Sequence, residues 1–165
     1  MHIVSNTSPV SNLAIVGRLD LLRAKFGRVI IPLAVAFELS RLSHPGASSA
    51  IKAALASGWL AIVPVPDRTL LPVLRARLDE GEAEAIELAR QTNADLLIID
   101  DAAGRAVARE EGLPFVGIIG LLAEEREAGR IVSLKAELDR LRAESRFFIA
   151  PALEESVLRR VGEIA

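Results

Sequence analysis

Strands alternating with helices predict an α/β protein, a three-layer α/β/α sandwich around a central mainly parallel sheet. Three observations carry this expectation. Short apolar runs of two to six residues recur along the chain; stretches with apolar residues at three- and four-residue spacing lie between them; and Pro and Gly fall in the gaps. The strand-like runs are residues 2–5, 28–31, 60–65, 95–99 and 115–116. The helix-like stretches are 8–16, 33–41, 47–56, 70–78, 82–90, 102–111, 121–128 and 133–145, with 151–161 as a further candidate.

With 165 residues, 51% hydrophobic and 25% charged, the chain can bury a substantial core, and no linker or repeat divides it, so one domain spanning 1–165 is expected. The absence of cysteine excludes disulfides and thiolate zinc sites and suits a reducing cytoplasm. No apolar stretch is long enough for a membrane span, and the N-terminus lacks the pattern of a secretory signal, so a cytoplasmic protein without membrane association is expected. A net charge of −2 argues against binding nucleic acid by bulk charge and leaves only a local basic groove. Among the 20 basic residues only Lys25, Lys52 and Lys135 are lysines, a bias toward the side chain whose planar fork suits phosphate, and one that base composition of the genome explains equally well.

In open parallel sheets, sites form beyond the carboxyl ends of the strands, so polar residues just after apolar runs carry the most information. The run 96–99 ends in Asp100 and Asp101. Asp101 suits either a metal ligand or the N-cap of the helix that follows; Asp100, at a buried strand end beside a second acid, needs a cation or hydrogen bonds to offset its charge. The segment Asp79-Glu80-Gly81-Glu82-Ala83-Glu84 opens a helix. Its acids either complement the helix dipole or build a site, and helical spacing sets Glu82 on the face shared with Ala85, Ile86 and Ala89, leaving Glu84 solvated. Asn6, Thr7 and Ser8 follow the first strand, where each can cap a helix. Glu38 is a lone acid between Phe37 and Leu39, solvated or functional. Arg105 and Arg109 lie one turn apart beyond the acidic pair and can meet phosphates or pair with a surface acid such as Glu110. Trp59 reads as core or interface, Gly117 and Gly120 as a strand-to-helix turn, and His2 and His44 have no ligand-pair spacing.

Taken in order, Ser5-Asn6-Thr7-Ser8-Pro9, Ile30-Ile31-Pro32 with Val35 and Glu38, Gly81-Glu82-Ala83-Glu84-Ala85-Ile86, Ile98-Ile99-Asp100-Asp101 with Gly104-Arg105, and Val116-Gly117-Ile118-Ile119-Gly120 resemble the successive motifs of the PIN-domain family, in a prokaryotic branch akin to the ribonuclease toxins of type II toxin–antitoxin pairs. The resemblance covers about residues 2–130, with C-terminal helices over 133–161. It implies a metal-dependent endoribonuclease whose acids hold Mg²⁺ or Mn²⁺, with an RNA substrate, a small antitoxin protein as partner and a homodimeric state. Mapped onto this chain, the metal ligands are Asn6, Glu38, Glu82 and Asp100, with the adjacent Asp101 as a further ligand; Glu38, Glu82 and Asp100 are catalytic, and Thr7 and Ser8 match the small polar residues that follow the first acid. RNA contact is expected at Thr7 and Ser8 and, from their position alone, at Arg105 and Arg109. The pattern departs at Asn6, where many members carry Asp. The alternative is therefore a catalytically impaired PIN-like module that binds RNA or protein. The residue chemistry agrees with the family's metals, because hard divalent cations prefer oxygen ligands and keep several waters. A mean hydropathy of +0.34 in so short a chain also favours self-association.

Overall fold

A computed structural model describes residues 1–165. In chain order the elements are β1 (Ile3–Ser5), α1 (Thr7–Ile15), α2 (Asp20–Phe26), β2 (Val29–Ile31), α3 (Leu33–Ser40), α4 (Pro45–Ala56), β3 (Leu60–Ile62), α5 (Leu71–Arg75), α6 (Glu80–Gln91), β4 (Leu96–Ile98), α7 (Ala102–Glu110), β5 (Phe115–Val116), α8 (Ile118–Glu127), α9 (Leu134–Ser145) and α10 (Pro151–Arg160). The strands form one all-parallel sheet in the order β3-β2-β1-β4-β5. The chain enters at the centre, builds outward through β2 and β3, and returns to β4 and β5 on the other side of β1. The order therefore reverses between β1 and β4, the kind of switch point where open α/β sheets leave a crevice at the carboxyl ends of their strands. This is the α/β architecture that the alternating pattern predicts.

Two compact units make up the chain, residues 1–116 and 117–165. The first contains the whole sheet. Val4, Leu97 and Ile99 of its centre are fully buried and pack with Ala83, Ala85, Ile86, Leu88 and Ala89 of α6 and Val107 and Ala108 of α7. At about 25 cal/mol per Å² of apolar surface, each large aliphatic side chain buried here contributes roughly 1.5–3 kcal/mol against the entropy of ordering the chain. The second unit is a three-helix assembly in which α8 packs on both α9 and α10. Near its C-terminus, Glu163 accepts hydrogen bonds from the Leu134 and Lys135 amides and an ion pair from Arg126, satisfying first-turn donors of α9. No helix is long and apolar enough to cross a membrane.

Several elements differ from expectation. β3 stops at Ile62, short of the predicted 65, and α5 occupies only Leu71–Arg75 of the predicted 70–78. The seven-residue helix α2 lies in a segment for which the sequence pattern predicts no element. It is bounded by Gly17 and Gly27, both at positive φ, and buries only Leu22, too little for a periodic signal.

Candidate metal centre

Asn6 and Asp100 follow β1 and β4 at the carboxyl end of the sheet, one on each side of the switch point. β1 ends at Ser5 and Asn6 follows, its amide donating to Ile98 O of β4 at 3.0 Å. β4 ends at Ile98 and leads through Ile99 to Asp100. Asn6 and Asp100 thus leave neighbouring strands at one end of the sheet. Asn6 is 4% exposed and stands at the N-cap of α1, yet its side chain makes no capping bond, and its Oδ1 is buried with no hydrogen-bond donor against it. A buried amide oxygen without a donor costs on the order of 1–3 kcal/mol, a cost that a water or a cation brought to it would offset. One carboxylate oxygen of the half-buried Asp100 is also inaccessible to solvent.

Glu38, on α3, is half-buried and points back to the same region. Its Oε2 accepts from the Thr7 hydroxyl, and its Oε1 accepts from the Gly81 amide at 3.1 Å. Gly81 is the residue that makes this approach possible. A Cβ there would stand 2.6 Å from Glu38 Oε2 and 2.7 Å from Oε1. The carboxylate fills the space a side chain would take. Gly104 plays a matching part on α7, where a Cβ would come within 2.4 Å of Ile99 Cδ1 and 3.9 Å of the Glu82 carboxyl carbon.

Glu82 is 7% exposed and belongs to a capping box at the start of α6. Asp79 Oδ1 accepts from the Glu82 amide at 2.8 Å, and Glu82 Oε2 accepts from the Asp79 amide at 3.2 Å. Burial, then the negative charges of Asp79 and Asp101, push the Glu82 carboxyl up from 4.5 to about 7. Asp101 itself is exposed and caps α7, its Oδ1 accepting from Ala103 N at 2.8 Å and Gly104 N at 3.2 Å. The cap uses Oδ1, so it stands beside the metal-ligand reading of Asp101 without replacing it. Asp79 was not among the predicted site residues, although the spacing of Asp79 and Glu82 is a legible capping pattern.

Other predicted residues find different employment. Glu84 is a correction: expected to be solvated, it is 2% exposed, accepts from Ala34 N at 2.9 Å and pairs with Arg68 at 2.8 Å. The reason is that every residue of α6 from Gly81 to Ala89 is buried, so the helix has no solvent face there. The Ser8 hydroxyl accepts from Asn12 Nδ2 at 3.0 Å. Arg105 and Arg109 both lie over the Phe115 ring, each 5.4 Å from its centroid, while Glu110 pairs with Arg77. The His44 Nδ1 caps α4, and Trp59 is buried against a cavity of about 370 Å³ lined by Ala14, Asp20, Arg23 and Ala54 and by none of the candidate site residues.

As the side chains stand, no three His, Asp or Glu residues come close enough to hold one metal ion. Glu38 is engaged by the first-turn amide of Gly81, and Glu82 by the amide of the N-cap residue Asp79. The donor set nonetheless fits a hard divalent cation in kind: every donor is oxygen, and the buried Asn6 Oδ1 lacks a partner. Residues that would hold the ion are Asn6, Asp100, Glu82 and Glu38.

A search of curated proteins finds no match. A family model described as a PIN domain matches residues 2–163, nearly the whole chain and further than the five sequence motifs reach. That match agrees with the all-parallel sheet and the nuclease-like fold, in a family whose members typically use divalent metals. The chain belongs to the PIN-domain family.

Proposed function

We propose that this chain is a Mg²⁺- or Mn²⁺-dependent endoribonuclease that hydrolyses RNA phosphodiesters, acting as one domain over 1–165 in the cytoplasm. The observation that carries the reading is the buried Asn6 Oδ1, an acceptor without a donor on the strand next to Asp100 at the sheet's switch point. When bound, a divalent ion supplies Lewis acidity toward water and toward the phosphoryl oxygens.

The protein's own groups do the rest. Asn6 offers a neutral carbonyl oxygen and Asp100 a charged one, so the pair orients an ion with less charge than two carboxylates would. Glu82 adds a carboxylate when it releases its proton and its cap. Glu38 is fixed by Thr7 and Gly81 within the same region. Arg105 and Arg109, held against Phe115, give a small local cationic surface for the RNA backbone in a chain whose net charge is −2.

The finer identity we propose is the toxin of a type II toxin–antitoxin pair, with a small antitoxin protein as partner and a homodimeric state. Within the first unit, Leu33, Phe37 and Val73 are large apolar side chains left exposed, as a protein-contact surface requires. A second reading, an impaired module that binds RNA or protein, is favoured by the neutral Asn6 and by the lack of three gathered acids.

Calorimetric titration with Mn²⁺ separates the two. The nuclease reading expects binding by the wild type, tighter binding by Asn6→Asp and none by Asp100→Asn. Wild-type protein that takes up no Mn²⁺ at millimolar concentration would favour the second reading.

A further inference from the structure

Glu84 has no assigned role among the site residues, and it is more buried than any of them. Its Oε2 accepts from the amide of Ala34, the second residue of α3, at 2.9 Å. Glu38, one turn further along α3, accepts from the amide of Gly81, the second residue of α6, at 3.1 Å. The two bonds join the same two helices in opposite senses. Each helix lends an acid to satisfy a first-turn amide of the other, which has no partner within its own helix. Passing from Ala34 to Glu38 on α3 corresponds to passing from Glu84 back to Gly81 on α6, so the helices run antiparallel in one register. Sliding either helix along the other breaks both bonds.

We propose that Glu84 is a positioning residue for Glu38: by fixing the start of α3 it sets where the Glu38 carboxylate stands against Thr7 and the end of β1. Arg68, half-exposed, sits 2.8 Å from Glu84 Oε1 and supplies the counter-charge that a buried carboxylate requires. Glu84 is a structural partner at one remove from the metal. The inference rests on the nuclease reading for its purpose but not for its geometry.

Two measurements on the full chain test it. Native-state amide exchange, without metal, reads the Gly81 N–H directly; Mn²⁺ calorimetry reads the site. Glu84→Ala is expected to speed Gly81 exchange about tenfold relative to the Leu97 amide in the sheet, and to weaken Mn²⁺ binding about tenfold. Glu84→Gln keeps an acceptor for Ala34 but loses the ion pair, and is expected to fall between, near threefold in each readout. If only Glu84→Gln folds, its threefold shift decides. Gly81 exchange within twofold of wild type in every folded variant overturns the proposal. Wild-type protein that binds no Mn²⁺ sinks the nuclease reading, whereas Gly81 exchange still judges the positioning of Glu38.

Discussion

Replacing Gly81 by alanine sets two effects of opposite sign against each other. Within a helix, Gly→Ala normally stabilises by up to ~1 kcal/mol, because the unfolded chain loses freedom. Here the new Cβ would lie 2.6 Å from Glu38 Oε2. The carboxylate is the far end of a flexible side chain, so it swings away at little steric cost, but the Gly81 amide then loses a charged acceptor, worth about 1.5–3 kcal/mol. The net expectation is a destabilisation of ~1–2 kcal/mol. In a Glu38→Ala background the obstruction is gone, and the same substitution should stabilise by up to ~1 kcal/mol. Urea denaturation of the four metal-free proteins gives the coupling energy, expected near ~2 kcal/mol. A Gly81→Ala effect of the same sign and size in both backgrounds would refute the claim that Glu38 occupies the space above Gly81.

Other consequences follow from the same contacts. Glu82 has a folded-state carboxyl raised from 4.5 to about 7, so its contribution to stability is fully present below pH 4.5 and lost as pH rises through about 7. The loss is on the order of 3 kcal/mol. Thermal melts of the metal-free protein should therefore fall between pH 5 and 8 more steeply for wild type than for Glu82→Gln, and Mn²⁺ should restore the wild type most at pH 8. Parallel slopes for the two proteins would contradict this. Gly104→Ala puts a Cβ 2.4 Å from Ile99 Cδ1, and overpacking of this kind should cost ~1–3 kcal/mol in the same denaturation assay. Removing Arg105 and Arg109 together should weaken RNA binding and reduce its salt dependence, while lysine at both positions, which lacks the planar face that stacks on Phe115, should restore the binding only in part.

What the sequence made legible depended on whether a residue's role was local. Asp100 stood out because an apolar run ending in two acids is costly wherever it folds, and the alternation of strands and helices predicted the sheet that carries it. Glu84 was misread because helical periodicity assumes one buried face, and α6 is buried all round between Gly81 and Ala89. The exposure of Glu38 was undecidable from Phe37 and Leu39, since what covers it is an amide 43 residues away. Asn6 illustrates the same limit in reverse: its position after β1 is that of a helix cap, and only the three-dimensional surroundings show that its side chain leaves that bond unmade. α2 was invisible because a seven-residue helix with one buried side chain has no period to detect.

The central claim is that the residues at the carboxyl ends of β1 and β4 cleave RNA with a divalent ion. Incubation of a mixed RNA pool with purified wild type and Asp100→Asn, each in Mn²⁺, Mg²⁺ or EDTA, tests it most directly. The account predicts cleavage by the wild type in millimolar Mn²⁺, weaker cleavage in Mg²⁺, and none with EDTA or with Asp100→Asn. Cleavage that persists in EDTA or in Asp100→Asn, or RNA that is bound and left intact under every condition, would contradict it.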